Sequence, residues 1–121
     1  MATFAVTYTY SDATSAGRDT VRPAHVEFLK AQFENGRLLK SGPFGPDEAP
    51  GALLIIAGES KDDVESLMNR DPFHEAGLIE ERTVRQWNIF FGADAVQPAQ
   101  PAQPAQPVQP AQPAAQPAGR N

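Results

Sequence analysis

The chain has 121 residues, a formal net charge of -5 and no cysteine. Without cysteine it cannot contain a disulfide, a thiol nucleophile or a thiolate metal site. It also lacks the lysine- or arginine-rich run that nucleic-acid binding needs. The N-terminus has no basic segment followed by a long apolar run, and the longest apolar run, residues 52–57, is far shorter than a membrane span. We therefore expect a cytoplasmic protein that binds neither nucleic acid nor membrane.

Composition divides the chain into two parts. Residues 1–93 have core-forming composition and are expected to form one α+β domain. Residues 94–121 hold seven of the twelve prolines in Gln-Pro-Ala repeats, with too few large apolar side chains to offset the entropy of ordering. We expect this tail to be disordered. Its period of three also suits polyproline II, so the tail is either a solubilising extension or a segment recognised by a partner.

The first part of the domain predicts a strand, a helix and a second strand. Residues 4–10 alternate between aromatic or apolar and small or polar side chains, which indicates a strand with one face toward a core. A polar loop is expected at residues 11–20. Pro23 suits the first turn of a helix because it has no N–H to leave unpaired, and Gly36 suits the end of that helix. A short strand is predicted at residues 37–41.

The rest of the domain predicts a strand, a helix and a final strand. Residues 52–57 are apolar on both faces, as expected of a central strand covered on both sides. Ser60 is placed to cap a second helix, which Pro72 ends because the residue before a proline is disfavoured in helical conformation. Residues 78–91 are predicted to form a long last strand.

The resulting order, β-α-β-β-α-β, is that of a ferredoxin-like α+β fold with both helices on one face of an antiparallel sheet. Two helices cover only one side of the sheet, whereas the central strand is apolar on both. The simplest cover for the second side is another copy of the same sheet, so we expect a homodimer.

Two histidines and one aspartate are the candidates for chemistry. His25, near the predicted helix start, is either a partly buried packing residue or a general acid/base in a pocket. Asp71 is either a turn residue or the group that holds the second ring nitrogen of a histidine and fixes its tautomer. His74 is expected to be an exposed loop residue. No third ligand accompanies the histidines, so no metal site is predicted.

Other motifs have weaker chemical signatures. Ser41 lacks the flanking glycine spacing of a nucleophile elbow. Arg22 is either a surface residue or an anchor for a carboxylate or phenolate. The glycines that follow Ser41 lie in a loop too short and proline-rich to hold a phosphate. No cofactor signature is visible, and no cofactor is expected.

Five short segments nevertheless occur in a distinctive order. They are Arg22-Pro23-Ala24-His25, Asn35-Gly36, Ser41-Gly42-Pro43, Asp71-Pro72-Phe73 with Ala76-Gly77-Leu78, and Trp87-Asn88 with Phe91-Gly92. This pattern, which spans residues 2–92, resembles the YciI-like (YCII-related) family. The resemblance implies a dimeric α/β barrel built from ferredoxin-like subunits.

The resemblance also implies a site. By position, His25 and Asp71 correspond to a catalytic histidine–aspartate pair, and Ser41, Gly42 and Pro43 would line the same substrate pocket, with Arg22 as a further binding candidate. A relative in the family is linked to removing chloride from a chlorinated aromatic diol. The expected function is a lyase or isomerase acting on a small cyclic or aromatic oxygenated molecule. The alternative is a non-catalytic small-molecule binding or accessory module.

Overall fold

The computed structural model describes residues 1–92, and the predicted tail lies outside the described residues. A 3-10 turn at Asp12–Thr14 precedes the first helix. The regular elements are β1 (Ala2–Thr9), α1 (Ser15–Glu34), β2 (Leu38–Pro43), β3 (Gly51–Gly58), α2 (Lys61–Met68), α3 (Pro72–Glu75) and β4 (Glu81–Gln86). Apart from the four-residue helix α3, this order is the one that the sequence predicts.

The four strands form one antiparallel sheet in the order β2-β3-β1-β4. Strands β1 and β3 are central, and the central place of β3 is the one predicted from the apolar pattern of residues 52–57. Phe4 lies opposite Ile56, and Val6 lies between Leu54 and Val84. These side chains share one face and pack against apolar residues of α1 and α2. The core therefore lies between this face and the helices.

The other face of the sheet carries the alternate residues. Leu53 lies opposite Thr7, and Ile55 lies opposite Ala5. Ile55 is buried, whereas Leu53 is 38% exposed. Helices α1 and α2 pack on the opposite side of the sheet. The Leu53 side chain of the central strand β3 is therefore left partly in contact with solvent.

Helix α1 begins earlier than predicted. The expected loop at residues 11–20 and the expected helix start near Pro23 are both wrong, because the helix begins at Ser15 and contains Pro23 in its interior. Its start is held by Arg18, whose Nη1 donates to the Ser11 carbonyl (2.8 Å) and to Thr14 Oγ1 (2.6 Å). Pro23 removes one helical hydrogen bond, to the Asp19 carbonyl. Both residues are exposed, so water can satisfy that carbonyl.

Two strand boundaries also differ from prediction. Strand β2 continues through Gly42 and Pro43, which pair with Leu53 and Ala52 of β3. Proline is tolerated there because β2 is an edge strand. Strand β4 ends at Gln86 rather than at residue 91, and the aromatic residues beyond it do not supply core surface. Phe90, for example, is 86% exposed.

The second helix starts where predicted. The Ser60 side chain accepts a hydrogen bond from the Asp63 N–H at 3.1 Å, which satisfies one of the free donors in the first turn. The Asp63 carboxylate accepts from the Glu59 N–H and from Arg37. None of the helices in residues 1–92 combines the length and apolar character that crossing a membrane requires.

The position of Pro23 generates a stability prediction. Pro23→Ala restores an N–H in the interior of α1, so we expect the free energy of unfolding to rise by about 1–3 kcal/mol, since proline costs about 3 kcal/mol relative to alanine inside a helix. Urea unfolding at pH 7 measures this free energy of unfolding. The control, Pro46→Ala in the loop before β3, should lower stability by at most about 1 kcal/mol. A loss of stability in Pro23→Ala would contradict the interior placement.

Candidate active site

The site is built around the carboxylate of Asp71, which is completely buried. Asp71 follows α2 and caps α3, where Pro72 occupies the first turn and needs no hydrogen-bond partner. Its Oδ1 accepts a hydrogen bond from the Phe73 N–H at 2.9 Å. The local role expected of a turn aspartate is therefore present, and the carboxylate makes further contacts.

Two side chains from distant segments bind the same carboxylate. His25 Nδ1 lies 2.7 Å from Asp71 Oδ1, and the Tyr8 hydroxyl donates to Asp71 Oδ2 at 2.7 Å. An ionised carboxylate accepts hydrogen bonds and cannot donate them. This contact therefore favours the histidine tautomer that carries its proton on Nδ1. The Nε2 atom then holds a lone pair and can accept a proton.

The His25 ring is also held through its face. It stacks on the Phe73 ring with a centroid distance of 3.9 Å and an interplanar angle of 2°. His25 lies in the third turn of α1, not in the first turn as predicted, because the helix starts at Ser15. Its side chain is 12% exposed. The imidazole is thus fixed by Asp71 at one edge and by Phe73 at one face.

Two tyrosines, Tyr8 in β1 and Tyr10 just after it, are influenced by the charge of the buried carboxylate. Burial raises the pKa of Tyr8 far above its ordinary value, and the charge of Asp71 is the second-largest cause. Tyr8 therefore stays protonated and acts as a donor. Burial followed by the Asp71 charge raises the pKa of Tyr10 to about 12, although Arg18 and Arg22 oppose the shift. The Tyr10 ring meets Phe73 edge-on at 5.9 Å and lies 4.5 Å from the Arg18 guanidinium carbon.

A pocket of about 700 Å³ opens beside His25, between α1 and β2. Its lining comes mostly from α1 and β2, with single residues from elsewhere. The lining residues are Tyr10, Arg22, His25, Val26, Leu29, Lys30, Phe33, Leu38, Lys40, Ser41, Gly42, Pro43, Ala52 and Phe73. Asp71 is absent from this lining, and its side chain is completely buried.

The structure therefore brings Ser41, Gly42, Pro43 and Arg22 to the pocket that His25 lines. Arg22 is exposed, bonds Asp19 at 2.6 Å, and places its guanidinium carbon 6.0 Å from the centre of the Phe73 ring. The roles assigned to these residues remain predictions.

His74 is exposed, as expected, but it lies in α3 rather than in a loop. Residues 1–92 contain no cluster of three or more histidine, aspartate or glutamate side chains suited to hold a metal ion.

The sequence did not predict which residues surround the His25–Asp71 pair. Tyr8 was expected to supply only core surface, and neither Tyr10 nor Phe73 was expected in a site. One signal was present for Tyr8: a buried tyrosine hydroxyl needs a hydrogen-bond partner, so an inward tyrosine on a central strand implies an acceptor nearby. Phe73 gives no such signal, because its ring position depends on the packing of α3 against α1.

Fold and site together define a small ferredoxin-like α+β protein with a histidine–aspartate pair beside an open pocket. The family model of the YCII-related domain matches residues 2–88, and the chain belongs to that family. Protein YciI from Escherichia coli O6:H1 (strain CFT073) and Protein YciI from Shigella flexneri are each 30% identical over 82 residues, which is 61% of this chain and 84% of theirs. The resemblance read from the five sequence segments is thereby confirmed.

Solved structures show the same fold. The 5-chloro-2-hydroxyhydroquinone dehydrochlorinase (TftG) from Burkholderia phenoliruptrix AC1100, in complex with 2,5-dihydroxybenzoquinone, has a TM-score of 0.62 and 27% identity over 71% of this chain and 93% of that chain. Protein Atu4242 from Agrobacterium tumefaciens has a TM-score of 0.50 and 19% identity over 76% of this chain and 96% of that chain. At this identity the second likeness concerns the fold alone.

The hydrogen bond from Tyr8 to Asp71 generates a prediction. Tyr8→Phe leaves Asp71 Oδ2 buried without that donor, so we expect the free energy of unfolding at pH 7 to fall by about 1.5–3 kcal/mol, as for other hydrogen bonds to charged groups. Tyr10→Phe is the matched control, because the Tyr10 hydroxyl makes no hydrogen bond within residues 1–92, and its effect should stay within about 0.5 kcal/mol. Equal losses in the two variants would show that the Tyr8 hydroxyl contributes nothing specific.

Proposed function

We propose that this protein is a small-molecule lyase or isomerase in which His25 and Asp71 act as an acid/base pair on a small cyclic or aromatic oxygenated substrate. The observation that carries the proposal is the 2.7 Å contact between His25 Nδ1 and Asp71 Oδ1 in the wall of a pocket. Asp71 orients the imidazole and stabilises its protonated form during the reaction. His25 Nε2 is the group that exchanges a proton with the substrate.

The proposed elimination balances without a cofactor. His25 Nε2 accepts a proton from a carbon or hydroxyl of the substrate, and the electron pair left behind forms a new double bond. On an aromatic ring, a hydroxyl proton first moves to the ring carbon that bears the leaving group, which gives a keto tautomer with a tetrahedral carbon there. The leaving group departs from this tetrahedral carbon, which adjoins the deprotonated group or is conjugated with it, and keeps its bonding pair. His25 then releases the proton to water. In an isomerisation, His25 returns the same proton to a different carbon, and no group leaves.

The pocket suits a substrate of this kind. Its volume of about 700 Å³ exceeds what one six-membered ring with its substituents needs. Apolar side chains of α1, such as Val26 and Leu29, can pack against a ring. The Ser41 hydroxyl and Arg22 guanidinium are polar groups able to orient ring oxygens. Ser41, Gly42 and Pro43 form the β2 side of the pocket, opposite α1. These residues are the proposed substrate-binding set.

Similarity supports the elimination branch of the proposal. The dehydrochlorinase described above is named for a chlorinated hydroxyhydroquinone and was solved with a dihydroxybenzoquinone. For this chain, we propose a substrate of comparable size with a ring and several oxygens. A halide is then one candidate leaving group.

We also propose that the protein is a homodimer whose two sheets pack face to face, as in a dimeric α/β barrel. The support is the sheet face without helices, where Leu53 of a central strand is 38% exposed and Ile55 and Ala5 form an opposed apolar pair. A second copy of the same face would cover Leu53 and form a symmetric interface.

The activity test uses chloride release from 5-chloro-2-hydroxyhydroquinone, corrected for the uncatalysed rate. His25→Gln should lower kcat/KM by about 10²- to 10⁴-fold, the usual contribution of a general acid/base. His74→Gln, which alters the exposed histidine of α3, is the control and should leave kcat/KM unchanged. Equal rates in His25→Gln and the wild type would contradict the proposed role of His25.

Asp71→Asn tests the positioning role of Asp71. The asparagine amide can donate to Nδ1 and so shift the ring proton to Nε2, which would block proton acceptance from the substrate. We expect lower kcat/KM together with a changed 15N NMR tautomer signature of His25. Unaltered signals would contradict the role of Asp71. A wild type that binds the compound tightly without releasing chloride would favour the alternative, a small-molecule binding or accessory module.

The dimer proposal is tested by analytical ultracentrifugation. Wild-type protein should sediment as a dimer, whereas Leu53→Glu, which places a charge on the free sheet face, should sediment as a folded monomer. Ala31→Glu, on the exposed side of α1, is the control and should remain dimeric. Circular dichroism checks that both variants keep their fold. A monomeric wild type would refute the proposed dimer.

A further inference from the structure

The charges that line the pocket are opposite in sign to the charge of the chain. The whole sequence has 15 acidic and 10 basic residues, yet the pocket-lining residues include three basic ones and no aspartate or glutamate. The basic residues are Arg22 and Lys30 on α1 and Lys40 on β2. An acidic protein therefore presents a cationic pocket.

These cations differ in how far they are already neutralised. Arg22 is paired with Asp19 at 2.6 Å. Within residues 1–92, neither Lys30 nor Lys40 has a carboxylate oxygen within 4.0 Å of its ammonium group. The nearby carboxylate of Asp71 is completely buried and already accepts three hydrogen bonds. The two lysines are thus the pocket cations without an ion-pair partner in the described part of the chain.

The placement of the lysines matches the rest of the pocket. Arg22, Val26 and Lys30 follow one another at four-residue intervals and so share one face of α1. Lys40 follows the bulge of the edge strand and pairs with Ile55, which places it on the sheet face turned away from α1, so it borders the pocket from the strand edge. Apolar side chains such as Leu29 and Leu38 complete the lining. The combination suits a ligand with an apolar body and a charged edge.

From this arrangement we infer that the pocket takes an organic anion: an oxyanion, shared over conjugated oxygens or a carboxylate, attached to a small apolar ring. Lys30 and Lys40 supply the charge selectivity. The inference rests on the proposed function, because it names the substrate class of the same pocket. The acidic net charge disfavours an anionic substrate unless basic residues lie in the pocket, and Arg22, Lys30 and Lys40 are among its lining residues.

Matched probes test the inference. At neutral pH, 2,5-dihydroxybenzoquinone is an anion because its hydroxyls are vinylogous carboxylic acids, whereas 2,5-dimethoxybenzoquinone has the same ring and no ionisable group. Benzoate and benzamide form a second charged and neutral pair. Dissociation constants are measured by calorimetry at low salt, for the wild type and for Lys30→Gln/Lys40→Gln. Lys61→Gln, on α2 and outside the pocket lining, is the control.

We expect the dihydroxy anion to bind at least tenfold more tightly than its dimethoxy analogue. Exposed charge pairs each change affinity by about two- to fivefold, so the double variant should lose most of that preference while the Lys61 variant keeps it. Added salt should weaken anion binding because it screens exposed charges. If benzoate also binds better than benzamide, the class includes carboxylates. If it does not, the class is restricted to acidic enols and phenols.

Equal affinity for the charged and neutral quinones would overturn the inference, as would an undiminished preference in the double variant or no binding of either anion. The same measurements in His25→Gln separate this result from the proposed chemistry. A preserved anion preference without chloride release by the wild type refutes the proposed reaction alone. Chloride release without an anion preference refutes the substrate class alone.

Discussion

The free energy of a buried carboxylate governs both the fold and the site of this protein. Burying an unpaired charge costs several kcal/mol, so Asp71 can be buried only with its hydrogen-bond partners. Those partners are the Tyr8 hydroxyl of β1, the His25 ring of α1 and the Phe73 N–H of α3. One side chain thus links the central strand, the long helix and the short helix. The packing that stabilises the domain is also the packing that orients the imidazole.

Aromatic residues complete this arrangement from the other side. Phe73 supplies a backbone donor to Asp71 and a ring face to His25, while Tyr10 contacts the edge of the Phe73 ring and Arg18 lies over Tyr10. Because Arg18 also bonds the residues that start α1, the helix terminus and the site share one set of contacts. The raised pKa of Tyr8 keeps its hydroxyl protonated, so the carboxylate retains this donor.

Local patterns in the sequence predict most of the fold. The alternation in residues 4–10, the two-sided apolar run in residues 52–57 and the cap at Ser60 each reflect interactions between near neighbours, and each appears as an element. The start of α1 does not follow this rule: proline is favoured in a first turn, but contacts of Arg18 with Ser11 and Thr14 outweigh that preference. The site is even harder to predict from local patterns, because His25 and Asp71 are 46 positions apart and meet only through the sheet topology. Family resemblance named the pair, and the inward position of Tyr8 indicates that an acceptor lies nearby without identifying Asp71 as that acceptor.

The double task of Asp71 has an evolutionary consequence. As the cap of α3 and the acceptor for Tyr8, it would be retained by selection for folding even in a descendant that had abandoned all chemistry. His25 is under a different constraint, since without it the carboxylate still has two donors. Among diverging copies of this domain, retention of the aspartate therefore carries little information about activity. Loss of the histidine while the aspartate persists would mark the copies that have lost this acid/base chemistry.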